Sequence, residues 1–124
     1  MLDTHAVLWF LNGDKKISEK VKKILASPAN ETFISIVSLW EIAIKLSLGK
    51  LSLKTSLNDL FRIIEEQGFH FLPITPEHII CVATLPMNHR DPFDRIIISQ
   101  ALTEEMTILT RDENFSGYGV KIIW

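Results

Sequence analysis

The chain predicts an α/β fold whose mostly parallel sheet is covered by helices on both faces. Three observations lead there. Short runs of β-branched, aromatic and aliphatic residues alternate with stretches of helical periodicity, the pattern of strand–helix–strand units. Most of the helical stretches open on a capping residue and several end at a glycine. The length of 124 residues, with 47% hydrophobic and 23% charged residues, suits one domain with a substantial core, residues 1–124, and no linker, repeat or low-complexity tract interrupts it.

Met1-Leu2-Asp3 reads as the tail of a first strand, with Asp3 at its carboxyl end. Ala6, Val7, Phe10 and Leu11 recur at helical spacing until Asn12-Gly13-Asp14. Ser18 is placed to cap a second helix carrying Val21, Ile24 and Leu25, and Ser27-Pro28-Ala29-Asn30 is a turn. Thr32-Phe33-Ile34-Ser35-Ile36 has strand composition. Ser38 is expected to open the next helix, with Glu41 three residues on, Trp40, Ala43, Ile44 and Leu46 on its apolar side, and Gly49 past its end. Ser56 and Asp59 start another helix through Leu60, Ile63 and Ile64 to Gly68. The region from Ser38 to Gln67 is expected to project as a helical hairpin.

Phe69 to Leu72 reads as a strand, and Thr75-Pro76 opens a helix presenting Ile79, Ile80 and Ala83. Leu85-Pro86-Met87-Asn88 leads to Asp91-Pro92, an N-cap carboxylate followed by proline at the first helical position. That helix continues through Ile97, Ile98, Ala101 and Leu102 to about Glu105. Thr107 to Thr110 is a strand, and Arg111-Asp112-Glu113-Asn114 leaves its end. Val120 to Ile123 is a final strand at an edge.

Four carboxylates stand at element ends. Asp3 and Asp112 follow strands; Glu41 and Asp94 fall in expected first turns of helices. In a parallel sheet with helical crossovers those positions share one edge, where ligands bind. Carboxylates brought together repel and raise one another's pKa. Oxygen ligands of this kind suit Mg²⁺ or Mn²⁺, and such a centre supports displacement at phosphorus. Each acid also has a plainer reading. Glu41 fits a capping box with Ser38, Asp3 and Asp112 can cap the helices that follow them, Asp91 caps through the register set by Pro92, and Asp94 complements the helix dipole. Lys45, Arg90, Arg95 and Arg111 are the nearest basic residues, able to hold a substrate phosphate or balance the acids.

A net charge of -2 gives no bulk basic field for nucleic acid. His5, His70, His78 and His89 lack metal-ligand spacing with one another or with Cys81, the one cysteine. His89 lies near the proposed site, with a phosphate contact as the alternative, and is expected to be a surface loop residue; Cys81 is expected to be a small buried hydrophobe. No nucleophile elbow, phosphate-binding glycine loop or dinucleotide fingerprint is present. No run of residues has membrane length, and no signal peptide pattern appears, so the cytoplasm is the expected location.

Four segments together resemble the PIN-domain family, and within it the VapC-type toxins of prokaryotic toxin–antitoxin pairs. They are Leu2 to Trp9, Ser38 to Lys45, His89 to Arg95 and Leu109 to Phe115, in the family's order. The resemblance implies a three-layer sandwich and an Mg²⁺- or Mn²⁺-dependent endoribonuclease site. By motif, Asp3, Glu41, Asp94 and Asp112 match the acidic positions, with Asp3, Asp94 and Asp112 as metal ligands. Asp91 is either a cap or a residue behind the ligands; Lys45, Arg95 and Arg111 lie in the same supporting group. It further implies an RNA substrate, a homodimer and a cognate antitoxin that blocks the site with a C-terminal segment. Such proteins usually carry several more apolar residues before the first aspartate. Two other readings stay open: a silent module that accepts an arginine-bearing peptide, and a phosphohydrolase acting on DNA or small phosphate esters.

Overall fold

The computed structural model describes residues 1–124. In chain order the elements are α1 (Thr4–Leu11), α2 (Glu19–Ala26), β1 (Phe33–Ser35), α3 (Ile36–Ser47), α4 (Leu57–Glu66), β2 (His70–Leu72), α5 (Pro76–Thr84), α6 (Pro92–Thr103), β3 (Ile108–Leu109), a 3-10 helix (Glu113–Tyr118) and β4 (Ile122–Ile123). β1 pairs with β2, and β3 with β4, both in parallel. Leu2 joins the two pairs by parallel bridges to Ile34 and Leu109. The strand order is therefore β2-β1-Leu2-β3-β4, with β4 at an edge as expected.

Strand periodicity explains the layers. Leu2, Ile34 and Leu109 point into a core shared with Val7, Val21, Ile42, Leu60 and Ile64, which belong to α1–α4. Their neighbours Met1 and Ile108, with Leu72 of β2, point the other way, into a core shared with Ile97, Ile98, Phe115 and Tyr118. Side chains alternate along a strand, so a sheet this apolar must be covered on both sides. The result is a three-layer sandwich, with α1–α4 on one face and α5, α6 and the 3-10 helix on the other. The four-helix layer also corrects one expectation: α4 does not project, because Leu60 and Ile64 are buried in the first core.

Caps set most helix starts where the sequence put them. Ser18, Ser56 and Asp91 each accept a backbone N–H from the helix that follows. At α3 the start differs. Ser35 ends β1 and also caps α3, accepting from Val37 N at 3.1 Å. The helix therefore begins two residues before Ser38, and the Ser38–Glu41 capping box does not form. Ser38 is buried within the helix and accepts from Thr4 Oγ1 at 3.1 Å, tying α3 to α1. Trp40, expected on the buried side, is exposed and stacks edge-on against Phe93. In α5 the buried side chain is His78, while Ile79 and Ile80 face outward. The His78 ring accepts from Thr75 N at 3.0 Å and meets Glu104 at 2.9 Å. No helix is long and apolar enough to cross a membrane.

Candidate metal centre

The carboxyl edge of the sheet gathers the acids. Asp3 follows Leu2 out of the middle of the sheet, and its Oδ1 accepts from Ala6 N at 2.6 Å, capping α1. Leu2 pairs with Leu109, so Asp3 lies beside Thr110, whose hydroxyl donates to Asp3 Oδ2. The same hydroxyl accepts from Asp112 N at 3.0 Å. Thr110 thus ties the ends of two adjacent strands together. Asp112 Oδ1 accepts from Asn114 N and Nδ2 at 2.9 and 2.8 Å, leaving Oδ2 directed toward the acids. The plain capping readings of Asp3 and Asp112 hold, and they serve the site: fixing one side of a carboxylate fixes where its remaining lone pairs point.

Asp94, in the first turn of α6, is the focus of the cluster. Its carboxyl is pushed up to about 7, first by burial, then by the charges of Asp91, Glu41, Asp3 and Asp112. Five carboxylates from four separate stretches of chain therefore act on one place. Asp3 is also raised, chiefly by burial, with the Thr110 hydroxyl and the Ala6 N–H opposing the rise. Only limited positive charge answers them. Lys45 Nζ sits 2.5 Å from Glu41 Oε1, one helical turn along α3. Glu41 is 5% exposed, so this lysine covers a carboxylate that would otherwise be buried alone.

The other predicted residues divide. Asp91 caps α6, its Oδ1 accepting from Phe93 N at 2.9 Å. Arg111 is exposed at the rim of an open depression that it lines with Asp3, His5, Trp9 and Asp112. Arg95 is turned away. Its buried guanidinium donates to the carbonyls of Pro86, Val82, Leu85 and His89, at 2.7, 3.0, 3.2 and 3.4 Å. Its observed work is to hold the loop that precedes α6, with no donor directed at the acids in these contacts. A separate surface cavity, lined by Met1, Asn30, Thr32, Thr107 and Lys121 among others, shares no residue with the acids.

Sequence reasoning missed two residues. Thr110 carries no signal until the strand order sets it beside Asp3. His89, expected on a surface loop, is only 14% exposed, with Nε2 at 3.2 Å from Asp94 Oδ2 and 3.7 Å from Asp112 Oδ2. Its place next to Asp91-Pro92 was the available hint. The ligand atoms of His89, Asp94 and Asp112 lie within 4.8 Å of one another, close enough to surround one cation. The donor set, mostly carboxylate oxygen with a raised pKa among them, fits a hard divalent cation such as Mg²⁺ or Mn²⁺.

The PIN domain family matches residues 1–121. Among solved structures the chain is similar to FitAcB from Neisseria gonorrhoeae, with a TM-score of 0.69 and 20% identity over 99% of this chain and 95% of that one. It is also similar to FitAB bound to an IR36 DNA fragment, with a TM-score of 0.70 and 18% identity over 98% and 92% of the two chains. No curated protein sequence matches it. The fold is shared with these structures at low identity, and the family match covers nearly the whole length. The chain belongs to the PIN domain family.

Proposed function

We propose that the chain is a metal-dependent endoribonuclease, the toxin of a toxin–antitoxin pair, working as one domain. The observation that carries this reading is Asp94, held at about 7 by burial and by four other carboxylates on the edge of the sheet. A cluster of that kind is tolerable near neutral pH with a cation in it. Asp3, Asp94 and Asp112 are the residues that would hold Mg²⁺ or Mn²⁺. Glu41, with its charge shared by Lys45, lies beside them. When bound, the ion supplies Lewis acidity toward a phosphodiester and a more acidic water. The chain's own contributions are separate. Asp94 and Glu41 offer carboxylates able to accept a proton from an attacking water. Asp3 is oriented by Thr110 and Ala6. Arg111, at the rim, is placed to meet a phosphate of the substrate strand; the water oxygen bonds to phosphorus as the P–O3′ bond breaks, and the leaving 3′ oxygen takes a proton from solvent.

A partner is part of the reading. FitAB, one of the structural neighbours, is seen bound to DNA, which favours a cognate antitoxin for this chain. Ile79 and Ile80 on α5 and Met87 in the next loop are exposed; a second copy covering them would make the homodimer that VapC-type proteins imply. The cytoplasm is the proposed location. The test is a cleavage assay on RNA, DNA and nitrophenyl phosphate with Mg²⁺ or Mn²⁺, on the wild-type chain and on Asp3→Asn and Asp94→Asn. RNA should be cut by the wild type alone. Equal cutting by both variants would remove the acids from the chemistry, and preference for another substrate would favour the phosphohydrolase reading.

A further inference from the structure

We propose that His89 is a positioning residue: an imidazole that turns its Nε2–H toward Asp94, with Asp112 just beyond, and is not itself an ion ligand. This rests on the metal-centre reading above. The backbone N–H of Asp91 donates to His89 Nδ1 at 3.1 Å. A nitrogen that accepts carries no proton, so the ring's proton belongs on Nε2. Nε2 is the atom that faces the acids, 3.2 Å from Asp94 and 3.7 Å from Asp112. Coordination through Nε2 would require moving that proton to Nδ1 and breaking the bond from Asp91 N.

Both the backbone and the ring of His89 are held. Tyr118 Oη accepts from His89 N at 2.5 Å. Phe115, 1% exposed, meets the ring edge-on at 5.9 Å between centroids. Arg95 grips the His89 carbonyl. The same 3-10 helix that carries Phe115 and Tyr118 is capped by Asp112, so the loop before α6 and the end of β3 are locked together around this imidazole. A donor facing one carboxylate with a second close by lowers their repulsion, the outer-sphere role that tunes many metal centres. Sequence spacing gave no metal-ligand set for the histidines, and the tautomer explains how His89 belongs to the site without being part of one.

The experiment is long-range ¹H–¹⁵N NMR of the wild-type chain at pH 8, without metal and then titrated with Mg²⁺, together with calorimetric Mg²⁺ binding to the wild type, His89→Ala and His89→Gln. The Nε2–H tautomer should be present before and after Mg²⁺. His89→Ala should weaken Mg²⁺ binding by roughly tenfold or more, and His89→Gln, which keeps an N–H at the Nε2 position, should recover most of the loss. A proton on Nδ1 in the metal-free ring, or its transfer from Nε2 when Mg²⁺ binds, overturns the proposal. So does unchanged affinity in His89→Ala. A wild-type chain that takes up no Mg²⁺ while showing the Nε2–H tautomer sinks the metal-centre reading itself, and leaves His89 nothing to position for.

Discussion

Replacing Asp94 by asparagine should stabilise the metal-free protein, in a pH-dependent way. The Asp94 carboxyl rises from its ordinary 3.8 to about 7 in the folded chain. Between those values the folded chain keeps a proton that the unfolded chain has released, so stability falls as pH rises through that window and the full penalty is present above it. At about 1.4 kcal/mol per tenfold change in proton affinity, the upper bound is roughly 4 kcal/mol. The side chain is 21% exposed, and solvent screening and small rearrangements bring the expected gain to about 1–2 kcal/mol. For a chain of this size that is about 4–8 °C in Tm. Asparagine keeps an acceptor for His89 Nε2 while removing the charge. The assay is thermal unfolding in EDTA at pH 8 and near pH 4.5, where the gain should be clearly smaller. An equal gain at both pH values, or a loss at pH 8, would refute the electrostatic account of the cluster.

Three other expectations follow from named contacts. Arg95→Ala should destabilise the chain by about 3 kcal/mol, because it unpairs four carbonyl contacts around a buried guanidinium; urea unfolding checks this, and a change under about 1 kcal/mol would mean the loop before α6 is held otherwise. Thr110→Val should weaken Mn²⁺ binding and slow RNA cleavage while Thr110→Ser preserves both, since only valine removes the hydroxyl that orients Asp3 and receives Asp112 N; calorimetry and the cleavage assay distinguish them. The proposed homodimer should be seen for the wild type in sedimentation velocity and lost in Ile80→Glu, given the outward position of Ile80 on α5; a monomeric wild type would remove the dimer, and an unchanged dimer would place the interface elsewhere.

Much of the scaffold was legible because local chemistry and the final fold agree. Ser18, Ser56 and Asp91-Pro92 announce helix starts that tertiary packing keeps. The apolar runs at Ile34 and Ile108-Leu109 demand cover on two sides and receive it. The misreadings share a cause. Ser35 and Ser38 are both good caps, and strand pairing, which the chain does not display, selects Ser35. In α5, Ile79 and Ile80 look like the inward side. Yet His78 is buried because its ring nitrogens find Thr75 N and Glu104, a compensation visible only in three dimensions.

Asp3, Asp94 and Asp112 were readable as strand and helix ends that the parallel topology brings together, whereas Glu41, expected in a first turn, lies in the second turn of α3 because that helix starts at Ile36. Of the basic residues, Lys45 and Arg111 also come to the site, and Arg95 does not. Arg95 is one residue from Asp94 in sequence, but a helix turns successive side chains by about 100°, and its guanidinium reaches the opposite loop. His89 could be placed only once Tyr118 was known to hold its backbone, and Phe115 and the Asp91 N–H its ring.

The central claim is that carboxylates from distant stretches of chain together bind a divalent cation. A crystal grown with Mn²⁺ and read by anomalous scattering tests it most directly. The expected result is a peak among Asp3, Asp94 and Asp112, with carboxylate oxygens at roughly 2 Å and His89 Nε2 outside bonding distance. A map without density there, with the three side chains still facing one another, would contradict it.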